Sequence, residues 1–198
     1  MSSAALATRY TPQQYLAMER RAEFKSEYHD GVIYAMSGAS REHNLLSMNL
    51  GSEINQQLKS SKCEVYSGDM RVLVDATGLY TYPDIAIVCD QPRFLDGHFD
   101  TLMNPTVLVE VLSPSTEAYD RGKKFGHYRR IASLREYVLV AQDRVSVERY
   151  ARRGADWVLT ERTGLDEALR LDSIDCEVSI REIYAKVELP VEDDADRA

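Results

Sequence analysis

VLVEVLSPST, residues 107–116, sets a single carboxylate, Glu110, inside an apolar run made of Val107, Leu108, Val109, Val111 and Leu112. A short apolar run closed by a Ser-Pro turn signal is the pattern of a strand covered on both faces. An ionised carboxylate in such a strand is strongly unfavourable unless a cation or hydrogen bonds compensate it. What Glu110 faces therefore decides how the chain is read. Two partners are open: a buried arginine, with Arg71 a candidate, or a divalent cation held jointly with a second acid.

Working outward, 198 residues with 44% hydrophobic and 28% charged side chains have the profile of one ordinary globular domain. We place that domain at residues 1–187, followed by an acidic tail, 188–198, of net charge −4 and a composition that favours disorder. No apolar run reaches membrane-spanning length, and MSSAALATRY lacks a basic region followed by a hydrophobic stretch, so a cytoplasmic protein without membrane contact is expected. Cys63, Cys89 and Cys176, odd in number and far apart, suggest neither a disulfide nor a zinc site. The net charge of −8 argues on its face against nucleic acid. The segment DRGKKFGHYRR (120–130) runs the other way, with five cations to one acid; taken alone it reads as a solvated helix face.

Thr11-Pro12-Gln13-Gln14 combines an N-cap, a proline at the first helical position and a capping-box glutamine, which starts a helix running to about Glu23. A turn at Asp30-Gly31 precedes a strand at Val32–Met36. Leu46, Leu50, Ile54 and Leu58 recur every four residues and predict an amphipathic helix from His43 to about Lys59. CEVYSGDMRVLVD reads as strands bent at Gly68, and IAIVCD (85–90) as another strand. After the Glu110 strand come a helix from about Thr116 to Ile131, the strand EYVLVAQ, and a hairpin turning near Arg153-Gly154.

The sequence has no Gly-rich phosphate loop, no GxSxG, no HExxH and no paired CxxC. It offers instead carboxylates at strand edges. Asp84 follows Pro83 at the start of one strand and Glu110 lies within another. Mg²⁺ takes one or two carboxylates and fills its remaining positions with water and phosphate oxygens. Singly, a strand-start cap for Asp84 and an ion pair for Glu110 explain each acid equally well. Together on adjacent strands they favour the metal.

The stretches SEYHDGVIYAMSGASREHN, YPDIAIVCD, VLVEVLSPSTEAYDRGKKFGHY and LREYVLV resemble the Uma-type restriction endonuclease family of the PD-(D/E)XK nuclease superfamily, over roughly Tyr10 to Trp157. The resemblance implies an α/β, restriction-endonuclease-like mixed sheet flanked by helices. It implies a Mg²⁺-dependent endonuclease, with Mn²⁺ as a substitute, that hydrolyses DNA phosphodiester bonds through Asp84 and Glu110. It also implies a homodimer, and Glu27, taken as an acid of the first helical region, as a third metal-holding group. His43 matches a histidine frequent in the family, though an exposed helix-start residue fits it equally well.

One departure stands out. The superfamily's lysine lies two residues after the glutamate, where this chain has Leu112. The family pattern moves the lysine to the following helix, where Lys124 shares a face with Asp120 and Tyr128 at i, i+4 and i+8. A surface Asp120–Lys124 pair is the bland alternative. Ala141 stands where many relatives have an aspartate. The expected site is thus Asp84, Glu110, Lys124, Glu27 and Tyr128. A catalytically silent DNA-binding module, or a phosphodiesterase for RNA or small nucleotides, are the alternatives.

Overall fold

The computed structural model describes residues 8–190. The chain folds into mixed α/β architecture: two mixed sheets, a small hairpin sheet and flanking helices. Its elements in order are α1 (Pro12–Glu19), β1 (Ser26–His29), β2 (Val32–Ala35), α2 (Arg41–Leu58), β3 (Glu64–Ser67), β4 (Arg71–Val74), β5 (Leu79–Thr81), β6 (Ile85–Val88), β7 (Thr101–Leu102), β8 (Val107–Leu112), α3 (Glu117–Tyr119), a π turn (Asp120–Lys124), α4 (Phe125–Tyr128), β9 (Glu136–Ala141), β10 (Val147–Arg153), β11 (Asp156–Arg162), β12 (Ala168–Leu171), β13 (Cys176–Ser179) and α5 (Ile180–Ile183).

The larger sheet has the order β11-β10-β9-β8-β6-β3. Only β8 and β9 run parallel in it, with Val107 opposite Glu136 and Glu110 opposite Leu139. The second sheet, β2-β1-β5-β4-β7, covers one of its faces. The Glu110 strand is buried along its whole length, as its composition requires. Alternation sorts its side chains. Val107, Val109 and Val111 join Leu46, Leu50 and Ile54 of α2 in one core cluster. Leu108 and Leu112 pack on the opposite face with Val72, Tyr128 and Tyr137. Glu110 belongs to this second face, where a polar group has no water to turn to.

Local signals placed most elements. The Thr11–Gln14 capping box forms as expected, although α1 stops at Glu19. Asp30 and Gly31 both have positive φ, 46° and 83°, as a tight turn between β1 and β2 needs. Gly154, at φ 64°, turns the β10–β11 hairpin. The stretch read as one bent strand pair divides between the sheets: β3 pairs with β6 and β4 with β5. The expected helix over 116–131 is interrupted by the π turn. The β12–β13 hairpin and α5 carry no sequence signal that we recognised.

The cysteine expectation is overturned. Cys63 and Cys89, 26 residues apart, form a disulfide, leaving Cys176 free and buried. Antiparallel pairing of Glu64 with Val88 brings their neighbours opposite each other, a proximity that sequence separation hides. The disulfide also removes the cysteine argument for a cytoplasmic protein. No helix among the described residues is long and apolar enough to cross a membrane. Val187 and Leu189 still pack against the first core cluster. Residues 191–198 of the expected disordered tail lie outside the described residues.

Candidate active site

Glu110 faces Lys124. The ammonium Nζ lies 2.9 Å from Glu110 Oε1, 3.2 Å from Glu27 Oε1 and 3.5 Å from Asp120 Oδ1. Tyr128 Oη donates to Glu110 Oε1 at 2.6 Å. Glu110, Asp120 and Lys124 are each 5% exposed or less. Arg71, the alternative counter-ion, serves elsewhere, at 3.0 Å from Asp100.

The elements explain how these groups meet. The chain leaves β8 through the Ser-Pro turn and crosses back over the second face of the sheet as α3, the π turn and α4. In the π turn the Phe125 amide bonds back to the Asp120 carbonyl, and both Asp120 and Lys124 point into the interior. Such widened turns recur at functional positions. Lys123, next in sequence to Lys124, is exposed. Leu112 is buried among apolar side chains, so the position two after Glu110 carries no charge. Glu27 lies on β1, correcting its expected place in the first helical region. There it accepts a hydrogen bond from Thr81, whose hydroxyl also lies 3.5 Å from Tyr128 Oη.

Asp84 sits just before β6. The register that sets Ile85 opposite Val109 brings it alongside Glu110. Both its oxygens are engaged: Oδ2 accepts from the Val111 amide at 2.7 Å, and Oδ1 lies 2.7 Å from His43 Nε2. His43, capped into the first turn of α2 by Ser40, is therefore a partner of Asp84 and no bare helix start. Asp84 and His43 open onto a cleft of about 560 Å³ whose walls include Lys25, Asn44, Ser47 and Tyr66.

The charges do not balance. Burial pushes the Glu110 carboxyl well above the usual range; Lys124 opposes this, while Asp120 and Asp84 reinforce it. Burial likewise disfavours the Lys124 ammonium, but Glu110, Glu27 and Asp120 together outweigh it and keep the lysine charged. One ammonium is thus shared among three carboxylates, and the ionised form of Glu110 is disfavoured there. Tyr119, which sequence reading missed, feels the same field: burial and then Glu27 push its hydroxyl up to about 12. Thr81 was missed as well; nothing in its local sequence marks it.

A dication fits this donor set. It would favour the ionised form of Glu110 and offset the surplus negative charge, with Asp84, Glu110 and Glu27 as the acids available to hold it. Among the described residues, no three His, Cys, Asp or Glu side chains already converge to hold a metal ion.

Comparison with known proteins agrees in scope. A match to the family described as "Uma2: Putative restriction endonuclease" covers residues 12–183. Two proteins of Synechocystis sp. are similar along most of their length, both uncharacterised. One, slr1290, is 36% identical over 92% of this chain and 95% of its own; the other, sll1609, is 37% identical over 78% and 88%. A crystal structure from Anabaena variabilis, titled a "putative nuclease belonging to DUF820", superposes with a TM-score of 0.70 at 19% identity. It covers 87% of this chain and 96% of the other, and that likeness speaks to the fold.

Proposed function

The chain belongs to the Uma2 family, described as putative restriction endonucleases, and from that premise we propose that it is a Mg²⁺-dependent DNA endonuclease. One observation carries the reading: Lys124, delivered by the segment after β8, touches Glu110 at 2.9 Å, supplying the charge that Leu112 cannot. Asp84 and Glu110, with support from Glu27, would hold the metal, which would supply polarisation of the phosphate and a lowered pKa for an attacking water. Lys124 orients the nucleophile or stabilises charge developing on the phosphate, and Tyr128 fixes the Glu110 carboxylate. His43 and the Val111 amide hold Asp84 in one orientation. Mn²⁺ is expected to substitute for Mg²⁺.

The enzyme acts as a homodimer in this reading. The edge strand β11 carries the exposed Val158 and Leu159, an apolar edge that a second copy would cover.

A catalytically silent DNA-binding module is the second reading. It is favoured by Glu110 Oε1 being already engaged by both Lys124 and Tyr128. Incubation with supercoiled, linear and single-stranded DNA and with RNA, in Mn²⁺ and beside Asp84→Ala, decides. Metal-dependent cleavage that Asp84→Ala abolishes supports the endonuclease. Duplex binding without cleavage supports the silent module, and cleavage confined to RNA or small phosphodiesters overturns the DNA assignment.

A further inference from the structure

Among the described residues, arginines are distributed unevenly between paired and unpaired positions. Ten of the twelve arginines outside one face have a carboxylate oxygen within 4.0 Å. On that face, Arg129, Arg130, Arg135, Arg152 and Arg153 have none. They lie on the turn that follows α4 and at the end of β10. Arg152 ties the two together: its Nη2 donates to the Arg129 and Ile131 carbonyls at 2.7 and 2.9 Å, and its amide donates to the Arg135 carbonyl at 2.8 Å. Burial and the neighbouring Arg135 both pull the Arg152 guanidinium below its ordinary value.

Nothing in the fold requires the remaining four cations. The side chains of Arg129, Arg130, Arg135 and Arg153 are exposed and make no hydrogen bond to the chain among the described residues. Asp156, opposite Arg153 in the hairpin ladder, forms no ion pair with it. Exposed cations grouped without acids, in a protein of net charge −8, leave a local positive field that attracts an anion.

We infer that this arginine face binds the phosphate backbone of duplex DNA flanking the cleavage point, an inference that rests on the nuclease reading above. Position supports it. Arg135 lies four residues before Leu139, the partner of Glu110 across β8 and β9, about 13 Å away along the strands at a strand's rise per residue. That is about four base pairs of duplex. Trp157, opposite Arg152 in the hairpin ladder, offers no free platform for unpaired bases: Arg152 lies over its ring at 4.7 Å and Phe125 edge-on at 5.4 Å. Single-strand sites depend on free stacking surfaces. Fixed arginines without them suit a regular double-stranded backbone.

The test is fluorescence anisotropy with a labelled duplex of about 30 base pairs in EDTA, from about 50 to 200 mM salt. A variant with Arg129, Arg130, Arg135 and Arg153 all changed to alanine should bind on the order of 10²-fold more weakly. Its log Kd against log salt slope should be shallower by about 0.9 for each phosphate that is no longer neutralised. Its melting temperature should be unchanged, and Arg181→Ala should bind as the wild type does. Unchanged affinity and slope in the four-arginine variant overturn the inference, as does tighter binding of a single strand of equal length. Cleavage in Mn²⁺ separates the two ideas. If the four-arginine variant cuts with unaltered KM, the face fails and the nuclease reading survives. If arginine-dependent duplex binding persists where the wild type cuts nothing, the face stands and the nuclease reading fails.

Discussion

Lys124 Nζ and Glu110 Oε1 lie 2.9 Å apart, both enclosed by protein, although one comes from a central strand and the other from the π turn. The relation puts a charge on Glu110 from a neighbouring element rather than from its own strand. Lys124→Ala should therefore lower single-turnover cleavage in saturating Mn²⁺ on the order of 10²-fold, as loss of a transition-state charge stabiliser does. Metal affinity should not fall, since Lys124 is no ligand and its ammonium lies against Glu110 and Glu27. Lys123→Ala should lose little rate, since Lys123 is exposed. Equal losses in the two variants would remove Lys124 from the mechanism.

Removing the same lysine also leaves the buried Glu110 and Asp120 and the partly buried Glu27 without their ammonium. Lys124→Ala is expected to melt well below the wild type without metal, breaking a buried pair being a matter of about 3–5 kcal/mol. Mn²⁺ should recover part of the loss. A melt that matches the wild type would mean that the ammonium does not stabilise this cluster.

Glu110 and Asp84 predict the metal response. Titration calorimetry should show Mn²⁺ binding in the wild type and its loss in Asp84→Asn and Glu110→Gln. In the absence of metal, Glu110→Gln should be as stable as the wild type or more so above about pH 4. An acid whose folded pKa is raised costs stability as pH rises past its unfolded value. Metal binding that survives in both variants would exclude this site.

His43 tests how Asp84 is held. Its ring nitrogen lies 2.7 Å from Asp84 Oδ1. His43→Ala should weaken Mn²⁺ binding by about 10–100-fold, the usual loss when the partner of a ligand is removed. His43→Asn, which keeps a donor, should recover part of it. An unchanged isotherm for His43→Ala would reduce the contact to packing.

Acid stability has a separate source. Hydrogen bonds from Arg20 hold the Asp100 carboxyl well below the usual carboxylate range, aided by Thr101 and Arg71. A depressed carboxylate stabilises the fold above its unfolded pKa near 4, and that contribution is lost as pH falls through the folded value. Asp100→Asn should melt about 2–4 °C lower at pH 7, the shift that about 1 kcal/mol gives in a chain of this size. The two melting curves should begin to draw together as pH falls below about 4. A constant offset across that range would contradict the assignment.

How much of this was legible beforehand differs residue by residue. Capping at Thr11, the four-residue period of α2, the Asp30-Gly31 turn and the apolar strand around Glu110 are local signals, and each element forms where its signal lies. Asp84, Glu110, Lys124, Glu27 and Tyr128 were likewise marked, by residue type and by family spacing. The sequence by itself thus determined which groups carry charge in an apolar setting, because helix caps, turns and alternation depend on neighbours a few residues away. Only the tertiary structure decided what those groups touch. Cross-strand register brought Cys63 to Cys89 and Asp84 alongside Glu110. The folding of the second sheet over the first carried Glu27 to Lys124. The π turn set Lys124 inward and left Lys123 outside. The return of β10 against β9 gathered five unpaired arginines on one face. Those contacts join residues tens of positions apart, and their strength depends on burial, which no local pattern records.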